Sequence, residues 1–599
     1  MAWYDEAVFY HIYPLGLAGA PKQNDYGEPV HRLNTLLPWV DHIKEIGGSA
    51  LYIGPLFESV GHGYETTDYK KLDSRLGTNE DLTAFVAYCH EQGIKVIFDG
   101  VFNHTGRDFF AFKDIQANRE NSQYKDWYCN VNFWGNNEYN DGFSYDNWGG
   151  YNLLVKLNQK NPAVVDYICD VIRFWVSEFD VDGIRLDAAD VLDFDFMKAL
   201  RRTANEVKPD FWLMGEVIHG DYSRWVNGET LHSVTNYTLH KALYSGHNDH
   251  NYFEIAHTVR RLQNMGTLKL YNFVDNHDVE RIYTKLTNKA HFAPVHVLLY
   301  TLPGVPSIYY GSEFGIEGRK EYGSDDSLRP ALNIEDYKDS VKTNPCTALI
   351  AALGKVRQAV PALSYGSYDE LMLTNRQFAY ARDLDGTRVI VSVNNDDAPA
   401  GMHLAAGNCT AYIGALSGEK VSVQDGHINI TQPANSGEIW VPDVTDLDVK
   451  PVKVVTKTES EAKTNTEDKA ASETATDAKG NKEAEPKIES KESKDIVTAT
   501  ESADAKKNTT NTEKNISAAN EVKDSAKDAS AQAAADTPVD PETITVDWSK
   551  SPESMTVPEL QAAILAKLAG NGPVDAQMKK TVTDNIWHDS LVNWLKSFR

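Results

Sequence analysis

From residue 8 to about residue 310, short apolar runs alternate with amphipathic stretches. Residues 8–13, 50–53 and 94–99 are runs of aliphatic and aromatic side chains of strand length. Residues 36–46 and 79–92 carry their apolar positions at helical spacing and stop at Gly47-Gly48 and Gly93, residues that readily close a helix. The same order predicts a helix over 162–179, a strand over 181–186, a helix over 194–207 and a strand over 211–214. Later come a strand over 269–274, a helix over 293–302 and a short apolar run at 307–310. Repeated strand-then-helix units bury a parallel sheet on both faces, so the pattern predicts an α/β fold, either doubly wound or closed into a barrel. Between about residues 105 and 151 the rhythm breaks into an Asn- and Gly-rich segment holding Trp127, Trp134 and Trp148. It is too long for a plain connection and is expected to be a functional loop or a small inserted domain.

Past about residue 360 the helical spacing stops. Residues 378–382, 388–394 and 438–441 read as strands parted by turns, which predicts a compact β-sandwich of about 80 residues. From residue 442 to 547 there is no Phe, Tyr or Trp, and small, polar and charged residues dominate. Such a segment cannot bury enough apolar area to offset its chain entropy and is expected to be a disordered linker. Apolar spacing returns after a capping-box pattern, Thr556-Val557-Pro558-Glu559, with Leu560, Ile564 and Leu568 on one helical face. Val582, Ile586, Trp587, Leu591 and Trp594 stripe a second helix. The pattern thus divides the chain into a parallel-sheet domain (1–104 and 161–360), an insertion (105–160), a sandwich (361–445), a linker (446–545) and a helical module (546–599). A helical pair of about 50 residues is marginal alone, so this module is expected to lean on itself or on another surface, whether the rest of this chain, a second copy or a protein partner.

Charge and cysteine usage narrow the class. A net charge of −27 over 599 residues argues against a nucleic-acid partner, because phosphate binding needs a basic face. No run approaches the roughly 20 apolar residues of a membrane span, and the first residues show no basic-then-apolar leader. Cys89, Cys129, Cys169, Cys346 and Cys409 form no CxxC pair, so neither a zinc site nor a disulfide framework is suggested. A cytoplasmic protein is expected.

Candidate chemistry sits at the strand ends. Arg185 and Asp187 are two apart on a strand and share a face. An acid beside a permanent cation is expected to stay ionised, its pKa pushed down, as a carboxylate nucleophile requires. Taken alone, such a pair is more often a structural salt bridge. Asp99, Asp187, Glu216 and Asp278 all fall at or just past the carboxyl ends of apolar runs, which in a barrel is the face where active sites assemble.

Read together, Asp99-Gly100-Val101-Phe102-Asn103-His104, Gly183-Ile184-Arg185-Leu186-Asp187, Gly215-Glu216-Val217 and Phe273-Val274-Asp275-Asn276-His277-Asp278 resemble the signature regions of the α-amylase superfamily of glycoside hydrolases. The resemblance spans about residues 4–445 and implies a (β/α)8 barrel, an inserted B domain after the third strand and a C-terminal β-sandwich. It implies that Asp187 is the nucleophile with Arg185 keeping it charged. Glu216 would be the general acid and then base, its pKa raised by Met214, Val217 and nearby carboxylates, and Asp278 the third acid, holding sugar hydroxyls. His104 and His277 match histidines that bond hydroxyls, Tyr64 matches a tyrosine that stacks on the sugar, and Asp325 with Arg329 match a pair that binds the same region.

Many members hold calcium through the Asn of the first region, an Asp of the B domain and a His after the nucleophile strand. Asn103 is present, but Lys156 and Val191 stand at the other two places, so no calcium and no other cofactor is expected. Leu154-Val155-Lys156-Leu157-Asn158 and Gly215-Glu216-Val217-Ile218-His219 resemble the neopullulanase and cyclomaltodextrinase branch, although the barrel pattern begins at once, without that branch's N-terminal β-domain. Asp275-Asn276 looks more like ordinary α-amylases. The implied activity is retaining hydrolysis of α-1,4-glucosidic bonds in maltodextrins, with cyclomaltodextrinase, neopullulanase or transglycosylase specificity as alternatives. An inactive glucan-binding barrel would have lost an acid, and all three acids are present.

Overall fold

The computed structural model describes residues 2–266, 268–321, 324–444, 546, 550–551, 555–569, 582 and 595. Eight short parallel strands form its centre: β1 (Phe9–Ile12), β2 (Ala50–Ile53), β3 (Lys95–Gly100), β4 (Gly183–Leu186), β5 (Trp212–Gly215), β6 (Ser233–Val234), β7 (Tyr271–Phe273) and β8 (Val305–Tyr309). Neighbours run β6-β5-β4-β3-β2-β1-β8-β7. Thr235 then pairs in parallel with Tyr271, joining β6 to β7 and closing the ring. The fold is a (β/α)8 barrel rather than a doubly wound sheet.

Side-chain alternation fills it. Phe9, Tyr52, Ile97, Trp212, Met214, Tyr271 and Phe273 pack together inside the ring. Their sequence neighbours Tyr10, Leu51, Val96, Phe98 and Leu213 join the larger core beneath the helices, as do Ile184 and Leu186 of β4. Asp99, two after Ile97, and Arg185, between Ile184 and Leu186, therefore fall on the inner set. Gly183 lies beside Trp212 in the register. A Cβ there would come within 2.5 Å of the Trp212 carbonyl oxygen and 2.9 Å of Ile97 Cγ2, so the strands approach only around a glycine.

Helix Pro162–Phe179 shows how the outer layer is set. Its N-cap Asn161 accepts from Ala163 N, proline opens the first turn, and the chain leaves through Asp180 in the left-handed region. The face it buries includes Trp175, stacked on Phe57 at 4.5 Å between ring centres.

Between β3 and that helix lie helix Phe110–Asn118 and an antiparallel sheet of His104–Thr105, Tyr151–Lys156 and Asn147–Trp148. This is the insertion expected from the broken rhythm. After β8 and helix Pro345–Ala359, a six-stranded antiparallel sheet faces the pair Ala400–Ala405 and His427–Gln432 across Ala379, Ile390, Leu404, Ile428 and Trp440. A short helix, Ala362–Tyr365, stands where helical spacing was expected to have ended.

The described residues from 546 onward belong to a separate unit. There Thr556 N and Oγ1 donate to Glu559 Oε2 at 2.7 and 3.0 Å ahead of helix Val557–Ala569, and Leu560 and Ile564 pack with Met555, Val582 and Leu595. The expected linker, 446–545, and nearly all of the expected second helix lie outside the described residues. Among the described residues, no helix is long and apolar enough to cross a membrane.

Candidate active site

Register builds the floor of the site. Asp99 lies beside Arg185 across β3 and β4, and Gly215 beside Leu186 across β4 and β5. The next residues, Asp187 and Glu216, therefore stand level at the ends of adjacent strands, and Glu216 N donates to Leu186 O at 2.9 Å. Arg185 spans them. Its Nη1 donates to Asp99 Oδ1 at 2.8 Å and to Asp187 Oδ1 at 2.9 Å, while Nη2 lies 2.9 Å from Glu216 Oε2. Past Asp187 the chain turns through Ala188, whose φ of 47° lies in a region L-residues seldom adopt. That turn aims the Ala188 N–H at Glu216 Oε2, 3.2 Å away.

With two donors on Oε2, Glu216 keeps Oε1 for Tyr237, whose hydroxyl donates to it at 3.3 Å. Asn276 Nδ2 donates to the Tyr237 oxygen at 3.3 Å. Asn276 Oδ1 accepts Asp278 N and Val279 N at 2.8 and 3.1 Å, which fixes the amide's orientation.

A second group forms the wall. Arg329 Nη2 donates to Asp278 Oδ1 at 3.0 Å and to Asp325 Oδ2 at 3.1 Å, and Arg329 Nε donates to His277 O at 3.0 Å. His277 Nε2 meets the Tyr64 hydroxyl oxygen and, at 3.1 Å, Asp278 Oδ2. Tyr64 donates to Asp99 Oδ2 at 3.2 Å, tying wall to floor. Its ring lies parallel to that of His277 at 5.7 Å. The structure thus gathers Tyr64, Arg185, Asp187, Glu216, His277, Asp278, Asp325 and Arg329 into one network. His104 joins it differently. Its Nε2 donates to the Tyr64 backbone oxygen at 3.1 Å and its Nδ1 accepts from Asn103 Nδ2 at 3.2 Å, so both ring nitrogens hold protein rather than face outward.

The electrostatics revise one expectation. Arg185 is not reserved for Asp187 but shared by three carboxylates, and the group carries 1 − 3 = −2 when fully ionised. Burial is the strongest influence on Asp187 and pushes its carboxyl well up; Arg185 pulls it down, while Glu216 and Asp99 add to the rise. Burial raises Asp99 too, against Arg185. Asp187 is therefore not the strongly acidic carboxylate that a private cation would make it. At Asp278, burial also acts upward, but His277, Arg329, Arg185 and Lys320 together hold the carboxyl below its ordinary range. Burial pushes His277 and His104 down to about 3, so both are neutral at neutral pH and Arg329 is the lasting cation beside Asp278.

Three residues stand where the resemblance would place calcium ligands. Asn103 Oδ1 faces the Gln159 amide nitrogen at 3.5 Å. Lys156 contributes a cation and Val191 a half-exposed hydrocarbon. Among the described residues, no three His, Cys, Asp or Glu side chains come together to hold a metal.

Sequence reading missed Tyr237 and Tyr52, the latter donating to Asp99 Oδ2 at 2.8 Å. The available signal for Tyr237 was Asn236, an N-cap whose side chain accepts from Leu239 N at the start of helix Tyr237–Asn248.

A parallel barrel whose strand ends set two level carboxyls on one guanidinium, with a third acid held by a second arginine, is an arrangement suited to glycoside hydrolysis. Residues 32–355 match the family described as Alpha amylase, catalytic domain, and the chain belongs to that family. It is 31% identical over 422 residues to a cyclomaltodextrinase of a Bacillus species, covering 66% of this chain and 74% of that one. It is 29% identical to neopullulanase 2 of Thermoactinomyces vulgaris, over 73% of this chain and 78% of that one. The solved debranching enzyme of Nostoc punctiforme, soaked with acarbose, superposes with a TM-score of 0.63 at 26% identity, covering 73% of this chain and 98% of that one.

Proposed function

We propose that the protein is a retaining hydrolase of α-1,4-glucosidic bonds in maltodextrins and starch-derived oligosaccharides. The observation that carries this reading is the level placement of Asp187 and Glu216. Adjacent strands lie about 4.8 Å apart, and both carboxyls meet one guanidinium within 2.9 Å. Retention needs carboxyls about 5–5.5 Å apart, whereas inversion needs about 6.5–9.5 Å to seat a water between.

Asp187 attacks the anomeric carbon while Glu216 protonates the departing glycosidic oxygen. Oε2 of Glu216 is held by an N–H and a guanidinium, so the transferable proton belongs on Oε1. Glu216, now a carboxylate, then takes a proton from the water that attacks the glycosyl-enzyme and frees Asp187. Asp278, kept ionised by Arg329, accepts sugar hydroxyls; Tyr64 supplies a ring face, and His104 positions Tyr64 through its backbone. Cyclomaltodextrinase specificity is the second reading, favoured by the names of the relatives and by Lys156-Leu157-Asn158. No step uses a metal, and calcium is proposed to be dispensable. All five cysteines are free thiols, which suits a reducing compartment, so a cytoplasmic location is proposed.

The test is product analysis on soluble starch, maltotriose, pullulan and β-cyclodextrin, with the first anomer followed by NMR. The α-anomer should appear first, and Asp187→Asn should lower kcat about 10³-fold. Unchanged activity in that variant would sink the assignment, and a β-anomer would overturn retention. Faster turnover of β-cyclodextrin than of starch selects the second reading. Activity and Tm should survive EDTA; a large loss of either would reinstate a calcium site.

A further inference from the structure

Trp134 is 98% exposed, as open as a tryptophan can be in a folded chain. Four of the nine exposed large hydrophobic residues among those described, Phe110, Trp134, Tyr139 and Tyr151, belong to the insertion. Phe110 packs on Tyr124, Trp127 and Tyr167, and Tyr139 lies under the Arg107 guanidinium, so of the four it is Trp134 that lines a groove.

The indole is presented by a rigid turn. Asn132 and Ser144 exchange backbone hydrogen bonds at 2.8 and 3.0 Å. Asn132 Oδ1 accepts Trp134 N at 3.0 Å, and Gly135 N donates to Asn132 O at 3.1 Å. A Cβ on Gly135 would come within 2.3 Å of Ser144 Oγ, so the turn is pressed against its neighbour. Phe133 is turned inward, its ring 5.7 Å from that of Phe143 and covered by Arg119. One aromatic anchors the turn and the next is left in water.

Beside Trp134 lies a groove of about 660 Å³ walled by the insertion alone, with Glu120, Asn130, Ser144, Tyr145 and Asp146 on its sides. None of the catalytic side chains lines it. Its polar atoms are mainly carboxylate, amide and hydroxyl groups. Arg119 donates to the carbonyl oxygens of Asp141 and Gly142 and lies 3.8 Å from Glu120, while Asn130 Nδ2 donates to Asp146 Oδ2 at 2.7 Å. Such a lining suits a neutral polyol, whose hydroxyls donate to the acids and whose ring face covers the indole; it does not suit an anion.

We infer that Trp134 and this groove form a second glucan-contact site, gripping α-glucan units beyond those held at the carboxyls. The inference rests on the proposed α-glucan activity and extends it to chain length. A short maltodextrin bound at Asp187 and Glu216 does not need this platform, whereas a starch chain can use both sites at once and gain effective concentration.

The test compares Trp134→Ala with the wild type, first by affinity electrophoresis in gels with and without soluble starch, then by kinetics on starch and maltotriose. Retardation by starch should weaken, and KM for starch should rise, by about three- to tenfold. KM for maltotriose and kcat should stay unchanged, which also reports correct folding. Equal retardation of both proteins would overturn the inference. So would an equal rise in KM for maltotriose, or a change of oligomeric state in sedimentation, which would give the indole to a second copy. A wild type that starch retards through Trp134 but that cleaves no α-glucan would refute the proposed activity and leave this site standing.

Discussion

Arg185 serves three acids at once, and the two catalytic carboxyls differ mainly in what else touches them. Asp187 has little besides that guanidinium, and burial lifts its carboxyl. Glu216 has two donors on one oxygen and a tyrosine hydroxyl on the other. The chain from Asn276 through Tyr237 runs in one direction, because Asn276 Oδ1 is already taken by two backbone N–H groups. Tyr237 must then donate to Oε1, which stabilises the carboxylate formed when Glu216 gives up its proton. A neutral hydrogen bond is worth about 0.5–1.5 kcal/mol, so Tyr237→Phe should lower kcat about two- to tenfold with KM for maltotriose nearly constant. Steady-state kinetics decide it; a rise in KM at constant kcat would make Tyr237 a ground-state binding residue instead.

At the scale of the element, strand ends place the chemistry and strand length decides what could be read. β1 to β5 and β8 are runs of four to six residues, and alternation along them marks the inner face on which Asp99 and Arg185 fall. β6 is two residues long, too short to leave a pattern, so Tyr237 after it and helices Tyr237–Asn248 and Tyr252–Asn264 went unread. His104 and Asp325 were found by motif, but what they touch depends on loops brought together from far along the chain. The sharing of Arg185 is likewise a matter of register, since Asp99 precedes it by 86 positions. Register also predicts a weak point. Gly183→Ala would drive a methyl against the Trp212 carbonyl and Ile97, and overpacking of this kind costs about 1–3 kcal/mol. Urea unfolding should show a lower midpoint at unchanged slope; an unchanged midpoint would mean that β4 and β5 can part without loss.

Across the whole molecule, buried histidines set the response to acid. Burial pushes His104, His240, His247 and His277 down to about 3 and His296 to about 4. Each binds its proton more readily in the unfolded chain, near pH 6.5. Their contribution to stability is therefore complete above pH 6.5 and is lost as pH falls toward the folded values, by at most about 1.4 kcal/mol per histidine per pH unit. Asp99 and Asp187, raised by burial, work in the opposite sense, gaining stability as they take up protons. Tm should be level from pH 8 to 7 and fall steeply between 6 and 4.5; a Tm rising on acidification would contradict the assignment of neutral buried rings. The ring's closure has a different consequence. Between β6 and β7 the described residues show Thr235 paired with Tyr271, Asn236 N donating to Tyr271 O at 2.9 Å, and Asn236 Nδ2 donating to Asn272 Oδ1 at 2.8 Å. So short a seam is where local opening costs least, and its amides should exchange with solvent ahead of those of β3 and β4. Tyr237 follows β6 and Asn276 follows β7, so each such opening also unlatches the hydroxyl from Glu216. Opening of the barrel wall and release of the acid are therefore expected to go together.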